Sequence, residues 1–282
     1  MSTDLLSPEG DLDPAEPRPR RRGSHAIELG YAVAIILAEL VGLRDPLLSG
    51  VCQGVLLVVL INHYAMSERD ERQPLLLAMA VVCLYRVLAL TPLSGGHLAN
   101  RLAVIGVPAL LAAVLAMRLL GYPGIGGPLP DKPSSGAVQL VIGLLGVPLS
   151  YAAYKLLKPT TVVTFSGNGH TTLSNVITAV TALVVFSGLT EELLFRGLLH
   201  SAARATFGPL GLYVSSLLFA AAYIGTRSAA FVLFALAVGA FFGWCAERSD
   251  SIIGVVLAHA VISVGAFVVW PSLASSMASL HL

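Results

Sequence analysis

The chain has 282 residues, of which 56% are hydrophobic and only 12% charged, with a mean hydropathy of +0.81. So little charge argues against a soluble domain of this size, and apolar stretches without strand-like alternation argue against an outer-membrane barrel. A net charge of +1 without any basic domain argues against a nucleic-acid partner and leaves membrane lipids as the surroundings. The expected fold is therefore all-α, a polytopic transmembrane helical bundle of about eight to nine spans.

In chain order, residues 1–25 are rich in proline and charge and contain Arg18, Arg20, Arg21 and Arg22. No apolar core precedes a cleavage site, so the segment reads as a disordered cytoplasmic tail and not a signal peptide. Spans are expected near 26–43, 46–65, 75–93, 102–120, 137–156, 175–200, 210–226, 229–246 and 251–270. Glu28 and Glu39 interrupt the first, and Arg44-Asp45-Pro46 makes its link to the second very short. That pair reads either as a tight helical hairpin or as one span plus an interfacial helix.

The connections SERDERQP (67–74), YPGIGGPLPDKPSSG (122–136) and KPTTVVTFSGNGHTT (158–172) carry breakers and charge. The second divides an N-terminal helical half, 26–136, from a C-terminal core, 137–282. Counting nine spans from a cytoplasmic N-terminus puts 67–74, 121–136, 201–209 and 247–250 inside; the tail arginines carry most of that orientation. Cys52, Cys83 and Cys245 lie in apolar stretches with no metal-type spacing and read as inert buried thiols. Asn62 and His63 read as interfacial.

The segment GLTEELLFRGLLH (188–200) places Glu191, Glu192 and Arg196 inside an apolar span. Each such charge in lipid costs roughly 2.5–3.5 kcal/mol and usually marks function. On an α-helix Glu192 and Arg196, four apart, are neighbours and form an ion pair. Glu191 lies about 100° around and faces elsewhere, with the small Ser187 and Gly188 one turn earlier leaving room beside it. A carboxylate in such a pocket can take a proton from water. The plainer reading makes all three residues a packing and registry device.

His259 lies near the middle of the last span, with Ser263 one turn on and able to face the same cavity. His200, nine residues from Glu191, faces away from it. Arg86 in the third span is a further intramembrane charge, expected to pair with Glu28 or Glu39.

The run EELLFR resembles the E-E-x-x-x-R motif of the CPBP family of intramembrane proteases, which includes the CAAX prenyl endopeptidases and bacterial Abi-type proteins. Members carry F-x-x-x-H on the next helix and H-x-x-x-N, or a variant, on a later one. Order and spacing here match over roughly 175–265. The resemblance implies that Glu191 activates water, that Glu192 and Arg196 are a structural pair, and that His259 helps to hold the oxyanion or water.

Two positions depart. Phe219-Ala-Ala-Ala-Tyr223 puts tyrosine where the family has histidine, and Ser263 stands at the asparagine. Tyrosine, with an ordinary pKa near 10, is a poor base at neutral pH, but it donates a hydrogen bond to a developing oxyanion or fixes a water. The plainer reading of Phe219 and Tyr223 is an aromatic pair packing between helices.

The leading expectation is a glutamate-type intramembrane endopeptidase acting on a membrane-embedded or lipid-anchored peptide. An inactive scaffold or chaperone of the same family is second, and a proton-coupled transporter using Glu191 third, since no interrupted helix pairs with 175–200. No cofactor is expected; H-E-x-x-H is absent, and Glu191 with His259 leaves a bound metal open. The alanine- and leucine-rich composition points to a bacterial inner membrane. Oligomeric state is not legible.

Overall fold

The computed structural model describes residues 25–67, 73–91, 98–122, 136–158 and 173–274. Residues 1–24 of the expected tail 1–25 and most of the three connections lie outside the described residues. Within them every element is helical. The N-terminal half comprises α1 (Ala26–Val41), α2 (Pro46–Met66), α3 (Gln73–Leu90) and α4 (Leu98–Leu119). Then come α5 (Gly136–Leu144) and α6 (Gly146–Leu157), nearly continuous with each other. A long run follows: α7 (Leu173–Ala182), a π-helical stretch Leu183–Leu189, α8 (Thr190–Glu192), a second π-helical stretch Leu193–His200, and α9 (Ser201–Phe207). Last are α10 (Gly211–Ala221), α11 (Ala229–Ser249), α12 (Ile253–Val264) and a π-helical end Gly265–Val269.

All nine expected segments are helices, and the fold is the all-α polytopic bundle expected. Seven helical stretches among the described residues are long and apolar enough to cross a membrane. The 16-residue α1 is not one of them; at 1.5 Å per residue it reaches about 24 Å, short of a hydrocarbon core about 30 Å thick. Residues 173–226, expected as two spans, count as one 54-residue apolar stretch by composition, but the chain turns at Gly208, where φ is +59°, and α10 packs back against α9 and the second π-helical stretch.

Local signals set the element ends. The Asp45 carboxylate caps α2, accepting from the backbone N–H of Leu47 at 2.9 Å and Leu48 at 3.0 Å, with Pro46 opening the helix. The short link that sequence left ambiguous is thus a capped turn between two helices. Ser228 caps α11 through the Phe231 N–H at 3.2 Å.

The outer surface is apolar, unlike that of a soluble protein, and the interior holds polar groups among its apolar ones. On α2, Val51, Val55 and Val58 are exposed, while Ser49, Gln53 and Leu60 are buried. One core joins Leu75, Leu76, Met79 and Cys83 of α3 to Leu194, Phe195 and Leu198 of the second π-helical stretch. A second joins Val255, Ala258 and Ile262 of α12 to Ile142, Ala153, Phe231 and Phe242. α12 packs against α5, α6 and the first π-helical stretch, so the acid-bearing segment lies between the two cores.

Inside the N-terminal half the Arg86 guanidinium grips Glu39 with two hydrogen bonds of 2.7 Å, and Gln53 donates to the same carboxylate at 2.8 Å. Glu39, not Glu28, is therefore the partner of Arg86. Three helices are tied at one buried point, since Glu39 comes from α1, Gln53 from α2 and Arg86 from α3. Breaking a buried pair strands a charge at a cost of about 3–5 kcal/mol, whereas replacing both partners by apolar groups is often neutral. Arg86→Met and Glu39→Leu are each expected to lower the thermal unfolding midpoint of the detergent-solubilised protein, and the double substitution to recover most of that loss. Additive losses in the double variant would show that the two side chains do not act as a pair.

Candidate active site

Glu191 and Glu192 sit in a single α-helical turn between two π-helical stretches. A π turn shifts the register of the faces that follow it and often occurs at functional sites. Thr190 marks the first one: its hydroxyl donates to the Val185 carbonyl, five residues back, at 2.9 Å.

The two carboxylates take different partners. Glu191 accepts from the Tyr223 hydroxyl through Oε2 at 2.6 Å and from the Tyr85 hydroxyl through Oε1 at 2.9 Å. Glu192, fully buried, accepts from Arg196 at 3.1 Å, as the i, i+4 spacing predicts. The same Oε1 atom lies 2.6 Å from Nδ1 of His259, while the other ring nitrogen, Nε2, is 3.9 Å from Oε2 of Glu191. With Nδ1–H donating to Glu192, the tautomer is fixed and Nε2 is turned toward Glu191. The expected pair of Glu192 and Arg196 is thus part of a triad. Glu192 does more than offset Arg196: it orients the imidazole on α12.

Phe219 fills the space beneath. The Arg196 guanidinium lies 4.0 Å from its ring centroid, a cation–π contact. Its ring meets Tyr223 edge-on at 5.2 Å and His259 at 6.1 Å. The packing reading and the site reading of the Phe219–Tyr223 pair therefore coexist, since Tyr223 stacks through its ring and donates through its hydroxyl. Tyr223 lies just past the end of α10, where the chain turns toward α11.

A cavity of about 440 Å³ opens beside Glu191. Its wall brings together Glu191, Tyr223, His259 and Ser263, all singled out from sequence, and adds Tyr85 and Ser187. Ser263 and Ser187 lie 2.9 Å apart, hydroxyl to hydroxyl. The remaining lining is mostly apolar, including Leu102, Phe186, Phe231 and Phe267. Among the described residues no cluster of three or more His, Cys, Asp or Glu side chains is arranged to hold a metal ion.

Three expectations need correction or completion. Gly188 does not leave room beside Glu191. It is a point of close approach to α12, where a Cβ atom would stand 2.9 Å from Cβ of Ala260. Cys52 is only partly buried, unlike Cys83 and Cys245. Tyr85 was missed: it lies in α3, in a stretch read for hydropathy alone, and nothing local distinguishes it from a packing tyrosine. Its neighbour Arg86 was the one available signal, because an intramembrane charge fixes how a helix is rotated. His200 lies outside the cavity, bonded to Ser215 and Glu247 at 3.0 Å each.

Residues 173–265 match the family profile described as Type II CAAX prenyl endopeptidase Rce1-like. No curated protein and no solved structure matches the chain significantly. The matched segment contains Glu191, Glu192, Arg196, Tyr223, His259 and Ser263 and excludes Tyr85. Over residues 173–265, about a third of its length, the chain is thus similar to the Rce1-like CAAX prenyl endopeptidases, in line with the family resemblance read from its motifs.

Proposed function

We propose that the protein is an intramembrane endopeptidase in which Glu191 activates water for attack on a membrane-embedded or lipid-anchored peptide. The observation that carries this reading is the convergence of Glu191, Tyr223 and His259 on one apolar-walled cavity inside the helical bundle. Water bound beside Glu191 Oε2 and His259 Nε2 is within reach of both. Glu191 takes a proton from it as the new C–O bond forms at the scissile carbonyl carbon. When the C–N bond breaks, Glu191 returns that proton to the leaving amine.

The charge that develops on the carbonyl oxygen needs donors held in place beforehand. Tyr223, His259 and Ser263 are the candidates on the cavity wall. Tyr223 shifts its hydroxyl from Glu191 to the oxyanion, a role that needs a donor and no base, so tyrosine suits it. Few polar groups line the cavity, and in such surroundings each electrostatic contact counts for more than in water.

A second reading keeps the fold without the chemistry. Both oxygens of Glu191 accept tyrosine hydroxyls, and the second motif ends in Tyr223, which favours an inactive membrane scaffold or chaperone. We place the protein in a bacterial inner membrane with its N-terminus cytoplasmic, on the tail arginines and the composition.

Two experiments follow. With the reconstituted protein and candidate membrane peptides, Glu191→Gln should abolish cleavage, a loss on the order of 10²–10⁴-fold for a general base. A scaffold instead keeps its partner phenotype with Glu191→Gln. Tyr223→Phe should cost on the order of 10²–10³-fold, the loss typical of an oxyanion donor, while Tyr223→His should keep or raise the rate. Full activity in Tyr223→Phe would remove the hydroxyl from the mechanism.

A further inference from the structure

We propose that Tyr85, from α3 and outside the family-matched segment, is a positioning residue that orients the Glu191 carboxylate. This inference rests on Glu191 being the general base. The last torsion of a glutamate side chain is broad and weakly preferred, so one hydrogen bond leaves the carboxylate plane free to turn. Glu191 accepts two, one on each oxygen and from different helices: Tyr85 on Oε1 at 2.9 Å and Tyr223 on Oε2 at 2.6 Å. The Tyr223 donor sits where the chain leaves α10 and is the one expected to leave for the oxyanion. Tyr85 then becomes the donor that keeps Oε2 turned toward His259.

Tyr85 is held firmly enough for that task. The adjacent Arg86 anchors α3 to Glu39 of α1 by two bonds of 2.7 Å, in a network that also takes in Gln53 of α2. The Tyr85 ring meets Phe195 edge-on with centroids 6.4 Å apart, and Phe195 belongs to the acid-bearing segment itself. A buried ion pair in the N-terminal half thereby sets the rotation of α3 and the aim of its tyrosine. The N-terminal helices become part of the active site, and the matched segment by itself lacks one of the groups that orient its acid.

The Tyr85→Phe variant keeps the ring and its packing and removes only the hydroxyl. In the full-length reconstituted protein kcat should fall roughly 10- to 100-fold, the range of a hydrogen bond to a charged group, with KM unchanged. An activity-independent readout accompanies it. The infrared difference between wild type and Glu191→Gln isolates the Glu191 carboxylate band. Tyr85→Phe should displace that band, whereas Tyr31→Phe, whose hydroxyl bonds His63 at 3.1 Å, should leave it in place. An undisplaced band, or full kcat in Tyr85→Phe, overturns the proposal. A wild type that cleaves no peptide but shows a displaced band in Tyr85→Phe sinks the general-base reading and sustains the orientation of Glu191 by Tyr85.

Discussion

A carboxylate inside an apolar bundle must be given hydrogen-bond donors, because leaving it bare is far more costly than any single packing contact. Glu191 receives two, from Tyr85 on α3 and from Tyr223 beyond α10. Much of the architecture follows from that requirement. α3 must be rotated so that Tyr85 faces the acid, which the Arg86–Glu39 pair enforces. The chain must leave α10 so that Tyr223 turns inward. α12 must approach closely enough for His259 to reach both carboxylates, and Gly188 against Ala260 permits that approach.

The neighbouring acid does different work. Glu192 is held by Arg196 and His259 together and shows no surface. Arg196 is itself laid over the Phe219 ring. This buried set of charge, imidazole and aromatic ring joins the acid-bearing segment, α10 and α12 at one point. Two adjacent glutamates are thus separated by environment, one locked among charges and one turned toward a cavity with two hydroxyl donors and the His259 ring 3.9 Å away. Environments that differ this much are how one pair of identical side chains takes on unlike roles.

The helices were legible because a bilayer demands length and apolarity, and those are properties of local sequence. The limits of that reading are also local. α1 is helical as expected but, at 16 residues, shorter than the seven membrane-length stretches among the described residues, and hydropathy does not register how closely one element follows another, as at 173–226. Glu191, Glu192, Arg196 and His259 were legible because charge in lipid is rare. The link between Glu192 and His259 was not, since 67 residues separate them and helix geometry describes only neighbours on one helix. The room assigned to Gly188 is occupied by α12, a contact between distant helices that helix geometry within one segment does not register. Tyr85 stayed hidden because a tyrosine in an apolar helix is ordinary until its partner is known.

The central claim is that the face of the Glu191 position is wet although the segment lies among membrane-spanning helices. Thiol accessibility tests it directly. In a background with Cys52, Cys83 and Cys245 replaced by alanine, Glu191→Cys and Leu194→Cys are reconstituted into vesicles and exposed to a small, permanently charged thiol reagent. Leu194 is fully buried in the α3-facing core and serves as the dry reference. The account predicts rapid modification at position 191 and none at 194. Equal inertness at both positions would mean that no water reaches the acid, and the proposed chemistry would have no nucleophile.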